Sequence, residues 1–189
     1  LDGTVPEENP HFQGLSDWQP QIYQIGVRNP QGMALSPFDG EVYMSNHGAR
    51  GGDWFGRVVK SGNYGWKILG WGGRNYWGTR IGPKWKPGFT KAIRYWVPSI
   101  APSGMTYYDD DLFPDWKGSL FISALVPGDV RRITLDGENV MTEEILFNNI
   151  GRIRNIITAP DGSLLLATDG NEGKLIRVVP KNDAPEGPD

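Results

Sequence analysis

The sequence predicts an all-β protein, and three observations support this prediction. The 189 residues include 26 glycines and 15 prolines, a content that keeps helices short and requires many turns. They also include 8 tryptophans and 7 tyrosines, and the aromatic and β-branched residues fall in short apolar runs. With 38% hydrophobic residues, the chain is long and apolar enough for one domain with a core.

Twelve short strands are predicted, in three groups of four. The first group covers residues 21–60, the second 91–135 and the third 142–179. Asp-Gly pairs favour turns, because both residues tolerate positive φ, and those at 39–40, 136–137 and 161–162 mark turns between predicted strands. The predicted strands are Gln21–Val27, Gly32–Ser36, Val42–Asn46, Arg57–Lys60, Lys91–Val97, Gly104–Tyr108, Ser119–Leu125, Val130–Leu135, Thr142–Phe147, Arg154–Ala159, Ser163–Asp169 and Lys174–Val179.

The three groups resemble one another, since each contains a turn followed by an apolar strand that ends on a small or polar residue. The matching segments are Pro37–Asn46, Trp116–Leu125 and Pro160–Asp169. Four-stranded units in tandem are typical of β-propeller blades, whereas a β-sandwich needs no such repeat. Propellers usually close with about 4–8 blades, so three blades leave the apolar faces of the end blades uncovered.

We therefore expect a partial propeller over residues 1–180. Either the chain is processed or truncated, or two copies complete a ring, and the start at Leu1 without an initiating methionine favours the first explanation. Residues 61–90 form a long insertion rich in glycine and aromatic residues, which is usually functional; the alternative is a surface flap whose tryptophans pack on the scaffold. The tail at 181–189 is rich in proline and acid and is expected to be flexible.

Composition excludes several kinds of site. The formal net charge of −3 gives no general reason to bind nucleic acid or an anionic membrane, and no stretch approaches the ~20 apolar residues of a membrane span. Cysteine is absent and only two histidines are present, so thiolate sites, disulfides and a multi-histidine zinc site are ruled out. Residues Asp109–Asp111 lack the pattern of an EF-hand.

Polar residues at strand ends are the candidates for binding chemistry, because a rigid scaffold presents groups there. Arg28, Asn29 and Gln31 offer a guanidinium, which pairs with carboxylates, and two amides. Arg152 and Arg154 point to the same side of an extended segment, which favours a polyanionic ligand. A surface ion pair, a simple turn and a solvated face remain the alternatives for these residues.

The glycine-rich loop from Asn46 to Asp53 is a second candidate. Glycine lets the backbone turn its carbonyl groups inward, and hard cations such as calcium bind such carbonyls. The alternative is a wide flexible turn. His47 is interpreted as a hydrogen-bonding structural residue, which is the commoner role of a lone histidine.

Four segments together resemble one family: RNPQG at 28–32, HGARGGD at 47–53, GNYGW at 62–66 and RIR at 152–154. They are similar to the soluble pyrroloquinoline-quinone (PQQ) dependent sugar dehydrogenases, which include glucose/sorbosone and aldose sugar dehydrogenases. That family folds as a six-bladed β-propeller, so the resemblance implies that this chain is its C-terminal three blades. It further implies oxidation of aldoses at the anomeric carbon with PQQ and calcium, in a periplasmic or secreted protein.

The resemblance also implies which residues bind the cofactors. Six residues with cationic, amide or aromatic side chains would bind the quinone: Arg28, Asn29, Gln31, Tyr76, Arg152 and Arg154. Three residues would bind calcium through their backbone: Gly48 and Ala49 at the quinone, and Tyr64 at a second site.

The chain departs from the family pattern at several positions. Ala49 replaces a proline, Trp54 replaces an acid that helps to bind the second calcium, and Val126 replaces a lysine near the quinone. The family's general base is a histidine in the first half of the propeller, and neither His11 nor His47 corresponds to it. The resemblance therefore implies no catalytic residue in this chain.

Two other functions remain open. A divergent, non-catalytic propeller would bind carbohydrate or protein, with Trp71, Tyr76 and Trp77 stacking on sugar rings. A calcium-dependent hydrolase of lactonase type would need a ring of Asp, Glu and Asn ligands, and few acids lie at the strand ends. The expected partners are a small sugar and either the missing N-terminal half of the propeller or a second copy.

Overall fold

A computed structural model describes residues 3–10 and 18–181 as three antiparallel sheets that pack face to face. The strands are β1 (Pro30–Leu35), β2 (Val42–Asn46), β3 (Asp53–Arg57), β4 (Arg94–Trp96), β5 (Pro102–Tyr107), β6 (Leu120–Ala124), β7 (Val130–Asp136), β8 (Asn139–Leu146), β9 (Ile153–Thr158), β10 (Leu164–Thr168) and β11 (Leu175–Val178). The sheet orders are β1-β2-β3-β4, β5-β6-β7-β8 and β11-β10-β9. The predicted all-β class and partial propeller are confirmed.

Helix is scarce in the described part of the chain. One turn of 3₁₀ helix, Pro114–Trp116, lies between β5 and β6, and its proline occupies the first helical turn, where no N–H is needed. No helix within the described residues has the length and apolar character that crossing a membrane requires.

The middle sheet separates two hydrophobic cores. Leu120 and Ile122 of β6 face the first sheet and pack in the core that contains Phe55, whereas Phe121 faces the third sheet and packs in the core that contains Ile156. Successive side chains of a strand point to opposite faces, so neighbouring residues of β6 enter different cores. All five residues of β6 are buried, because this strand is covered on both faces.

A third core lies under the long insertion. Met44 and Trp54, on the other face of the first sheet, pack against Tyr64, Leu69 and Trp71 of the insertion. The rings of Trp54 and Tyr64 stack with centroids 4.1 Å apart and planes 18° apart. This half of the insertion therefore packs on the scaffold, as the alternative interpretation expected.

Other parts of the insertion remain open to solvent. Trp77 is 77% exposed, whereas Trp71 is only 4% exposed. The proposal that Trp71 stacks on a sugar is therefore wrong, since its ring is used in the core.

Two predicted strands belong to a different sheet from the one expected. The predicted strand Lys91–Val97 was expected to open the second group, but β4 pairs with β3 and completes the first sheet. Thr142–Phe147 was expected to open the third group, but β8 pairs with β7 across the Asp136-Gly137 turn. The hydrophobic pattern predicts where a strand lies but not which strand it pairs with. The pairing depends on the hairpin or the loop that returns the chain.

The sheets therefore span residues 30–96, 102–146 and 153–178 instead of the predicted blade boundaries. In the described residues the third sheet has three strands, one fewer than predicted. The predicted strand Gln21–Val27 forms only an isolated bridge between Ile25 and Asn63. The strand predicted at Arg57–Lys60 begins earlier, at Asp53, because Trp54 and Phe55 supply its buried side chains.

A buried carboxylate connects the first two sheets. Asp53 is 0% exposed; its Oδ1 accepts the Gly48 amide N–H at 2.7 Å, and its Oδ2 accepts the N–H groups of Ile100 at 2.9 Å and Ala101 at 2.7 Å. The Ser99 hydroxyl donates to the same Oδ2. Four donors from two loops therefore compensate the buried charge, and the loop after β2 is held against the β4–β5 connection.

Replacing Asp53 by asparagine should destabilise the intact protein by about 2 to 3 kcal/mol. The asparagine amide would point an N–H group at backbone N–H donors, which leaves buried donors unpaired. Urea unfolding measures the loss, with Asp115→Asn as the control; the Asp115 carboxylate is exposed, and its change should stay within about 0.5 kcal/mol. Equal midpoints for the two variants would contradict the structural role of Asp53.

Candidate functional site

Arg28 lies at the centre of the candidate site. Its Nη1 donates to the carbonyl oxygens of Gly48 at 2.8 Å and His47 at 3.4 Å, and its Nη2 donates to the Tyr76 hydroxyl at 3.2 Å. Its guanidinium carbon lies 5.4 Å from the centroid of the Trp66 ring, within the range of a cation–π contact. The chain before β1, the loop after β2 and the insertion therefore meet at one positive charge.

Asn46, the last residue of β2, positions the backbone that leads into β1. Its side-chain Oδ1 accepts the amide N–H of Arg28 at 3.0 Å and that of Asn29 at 2.8 Å. Arg28 and Asn29 precede β1, outside the ladder that pairs β1 with β2, so a side chain takes the place of a strand partner. Two of the predicted site residues are thereby held by one buried amide.

A chain of hydrogen bonds connects the first sheet to the third. Gln31 Nε2 donates to Asn29 Oδ1 at 2.8 Å, and Arg154 Nη1 donates to Gln31 Oε1 at 3.4 Å. Gln31 and Arg154 are 123 residues apart in the sequence. The structure therefore brings together residues from the first and the last of the three sheets.

Asp169 holds two arginines on one side of the third sheet. Arg152 Nε donates to Asp169 Oδ1 at 2.8 Å, and Arg154 Nη2 donates to Asp169 Oδ2 at 2.6 Å. The hydrogen bond from Arg152, followed by that from Arg154, lowers the pKa of Asp169 below its ordinary value. The two guanidinium groups converge as predicted, and their side chains remain 55% and 46% exposed.

The loop after β2 is tightly folded around Gly48. A Cβ atom at this position would lie 2.2 Å from the Gly51 carbonyl oxygen, so a larger residue does not fit. The Gly48 carbonyl accepts from Arg28, and the neighbouring His47 Nε2 donates to the Pro102 carbonyl at 2.7 Å. His47 thus has the structural hydrogen bond that the sequence suggested.

Tyr64 and Trp54, the residues connected with a second calcium site, lie stacked in the core. The Tyr64 hydroxyl donates to the Arg57 carbonyl at 2.6 Å, and burial raises the pKa of this phenol. The described residues contain no cluster of three or more His, Cys, Asp or Glu side chains that could hold a metal ion. A calcium ligand at Tyr64 would be a backbone group, and this role stays a prediction.

Sequence reasoning missed the residues that hold the arginines in place. Asp169 and Asn46 both end the repeated turn-and-strand segment, and that shared position was the available signal. Trp66 lies within the GNYGW segment but has no pattern that predicts contact with Arg28. His11 and the expected flexible tail after Lys181 lie outside the described residues.

Comparison with known proteins places this chain in a family. The family model described as "Glucose / Sorbosone dehydrogenase" matches residues 1–177. The chain is 40% identical over 185 residues to the aldose sugar dehydrogenase YliI of Escherichia coli (strain K12), with 95% of this chain and 49% of that protein covered. It is 27% identical to quinoprotein glucose dehydrogenase B of Acinetobacter calcoaceticus, with coverages of 93% and 47%.

Solved structures give the same result. A crystal structure of a glucose dehydrogenase superposes with a TM-score of 0.88 at 40% identity, covering 95% of this chain and 52% of that one. The PQQ-bound form of an aldose sugar dehydrogenase from Streptomyces coelicolor gives 0.68 at 26% identity, with 94% and 48% covered. The chain spans about half the length of these relatives. On its sequence and its fold, the chain belongs to the glucose/sorbosone dehydrogenase family.

Proposed function

We propose that this chain is the C-terminal half of a PQQ- and calcium-dependent aldose dehydrogenase and supplies its quinone-binding side. The observation that supports the proposal most is the set of three solvent-accessible guanidinium groups, in which Arg152 and Arg154 share Asp169 and Arg154 contacts Gln31 of β1, three residues beyond the partly buried Arg28. One relative is named a quinoprotein glucose dehydrogenase, and one solved structure is described as the PQQ-bound form of an aldose sugar dehydrogenase. As in the family, we propose a periplasmic or secreted location.

The arginines fit the charge of the quinone. PQQ carries three carboxylates, and a guanidinium group binds a carboxylate through two parallel hydrogen bonds. Arg28 has only carbonyl, hydroxyl and aromatic partners among the described residues, so its charge is available to a ligand. We propose that the exposed ring of Tyr76, whose hydroxyl accepts from Arg28, flanks the flat cofactor.

The fit to calcium is partial. Calcium binds about 6–8 oxygen ligands, and Gly48 and Ala49 offer two backbone carbonyls. Arg28 already donates to the Gly48 carbonyl, which uses one of its two lone pairs and places a positive charge beside it. Gly48 and Ala49 would hold calcium through their backbone carbonyls, and the guanidinium group of Arg28 beside them would pair with a quinone carboxylate.

In this proposal, the residues of this chain bind and orient the cofactor. PQQ, when bound, supplies the redox chemistry by taking up the electrons of aldose oxidation. Arg28, Arg152 and Arg154 neutralise its carboxylates, and Gln31, itself bonded to Asn29, positions Arg154. His47 is bonded to a backbone carbonyl, so the base that removes the sugar proton is proposed to come from outside this chain.

One observation favours a second candidate function. Tyr76 and Trp77 are 65% and 77% exposed at the edge of the site, and Val126 leaves an apolar surface where the family has a lysine. Exposed aromatic rings stack on sugar faces. A non-catalytic propeller that binds carbohydrate would use these residues without a quinone.

Mixing the intact protein with PQQ and calcium should give aldose-dependent reduction of an artificial dye, because both cofactors then occupy their sites. The assay uses several aldoses, and protein without PQQ is the control. Absence of both dye reduction and quinone binding would remove the enzyme proposal. Saccharide binding without uptake of PQQ would favour the carbohydrate-binding propeller.

Arg28→Gln and Arg154→Gln should each weaken PQQ binding about 10- to 100-fold, because each removes one guanidinium–carboxylate contact. Quenching of tryptophan fluorescence by PQQ gives the dissociation constant independently of turnover. Arg177→Gln is the matched control, since Arg177 is an exposed arginine of β11 that pairs with Asp161, away from the candidate site. If all three variants bind PQQ as the unchanged protein does, the quinone lies elsewhere; thermal melting checks that each variant is folded.

A further inference from the structure

Positive charge is concentrated in one segment of this acidic chain. Residues 54–108 contain no aspartate or glutamate and have nine basic residues, a formal charge of +9: Arg57, Lys60, Lys67, Arg74, Arg80, Lys84, Lys86, Lys91 and Arg94. The remaining residues include 10 basic and 22 acidic side chains, a formal charge of −12. Such asymmetry predicts a surface that attracts anions even though the net charge is negative.

Three adjoining hollows form a groove beside this segment. The largest, about 740 Å³, is lined by Ala49, Arg74 and Val97 among other residues. The second, about 220 Å³, shares Arg74 and Val97 with the first. The third, about 500 Å³, shares Lys84 and Val97 with the second. The shared walls make the groove continuous from the glycine-rich loop across the insertion.

Four cations in the first two hollows lack a carboxylate partner. Arg50, Arg74, Arg80 and Lys84 line these hollows, and none of them forms an ion pair within residues 3–10 and 18–181. No lining residue of the three hollows is an aspartate or glutamate. This half of the groove therefore presents uncompensated positive charge to solvent.

The existing contacts of these cations leave donors available. Arg50 Nη1 donates to the Tyr76 carbonyl at 3.3 Å, and Arg74 Nη1 donates to the Gly78 carbonyl at 2.9 Å. A guanidinium group has five N–H donors, so each arginine retains several for a ligand. Lys84 Nζ lies 5.6 Å from the centroid of the Tyr95 ring and also keeps its charge.

The groove begins at the candidate site. Arg50 and Arg74 form a pair of backbone hydrogen bonds, with N–O distances of 3.1 and 3.0 Å, that fasten the insertion to the glycine-rich loop. Arg50 also contacts Tyr76, whose hydroxyl accepts from Arg28. A chain-like ligand in the groove would therefore have one end near Arg28 and Ala49.

We propose that this groove binds an acidic oligosaccharide, a chain of uronic-acid units, with its reducing end at the candidate site. The choice of a sugar rests on the proposed function. Carboxylates repeated along the ligand match cations spread along the groove. The apolar lining at Val97, Pro98 and Val126 suits the flat faces of sugar rings.

The test measures binding of a galacturonic-acid tetrasaccharide to the intact protein without PQQ, by calorimetry. Its fully methyl-esterified form is the matched ligand, because it has the same rings and linkages without charge. The acid form should bind at least about tenfold more tightly, since only it carries carboxylates for the four cations. Added salt should weaken this binding, because it screens the attraction.

The double variant Arg74→Gln, Arg80→Gln should lose at least about tenfold in affinity for the acid form. The control, Lys60→Gln with Lys91→Gln, removes the same charge from the same segment outside the groove and should change affinity less than about twofold. The control separates a specific site from general attraction to the basic segment.

Equal binding of the acid and esterified forms would overturn the proposal, as would an equal loss in the control variant. Equally tight binding of a single-stranded oligonucleotide of the same charge would also overturn it and show a general polyanion surface. Binding is measured without quinone, so the two proposals can fail separately. If the protein distinguishes the two tetrasaccharides but reduces no dye, the groove proposal stands and the dehydrogenase proposal fails.

Discussion

The buried carboxylate of Asp53 is the constraint on which the arrangement of the site depends. It accepts donors from the Gly48 amide and from the connection between the first two sheets. A buried charge with four donors tolerates little displacement, because each lost donor leaves the carboxylate less compensated. The Gly48 carbonyl, and with it the orientation of Arg28, is consequently set by the join between two blades.

Charge compensation distinguishes the arginines of the site from one another. Arg152 and Arg154 share Asp169, which holds them close together and also competes with an anionic ligand for their donors. Arg28 has neutral partners, so its interaction with an anion is opposed by no carboxylate among the described residues. A ligand with several carboxylates therefore encounters one arginine without a carboxylate partner among the described residues, Arg28, and two that already pair with Asp169.

Most of the fold could be predicted, and the two errors in sheet assignment have one cause. The repeats ending at Asn46 and Asp169 predicted blades, and the buried strands between them are found close to their predicted bounds. The partners of β4 and β8 were not predictable, because the apolar alternation of a strand is compatible with either neighbouring sheet. The candidate residues were identified by their cationic side chains and their glycines, whereas Asp169 and Trp66 contact these arginines in a way that short-range pattern does not encode.

The sequence by itself determined the all-β class, the tandem blades, the positive charge of residues 54–108 and the residue types of the site. These properties follow from composition and local period, which do not depend on distant contacts. Only the tertiary structure decided that Gln31 meets Arg154 across 123 residues, that Trp71 is core while Trp77 is exposed, and that four cations line one groove. Such contacts depend on how sheets pack face to face, and packing is a property of the whole chain.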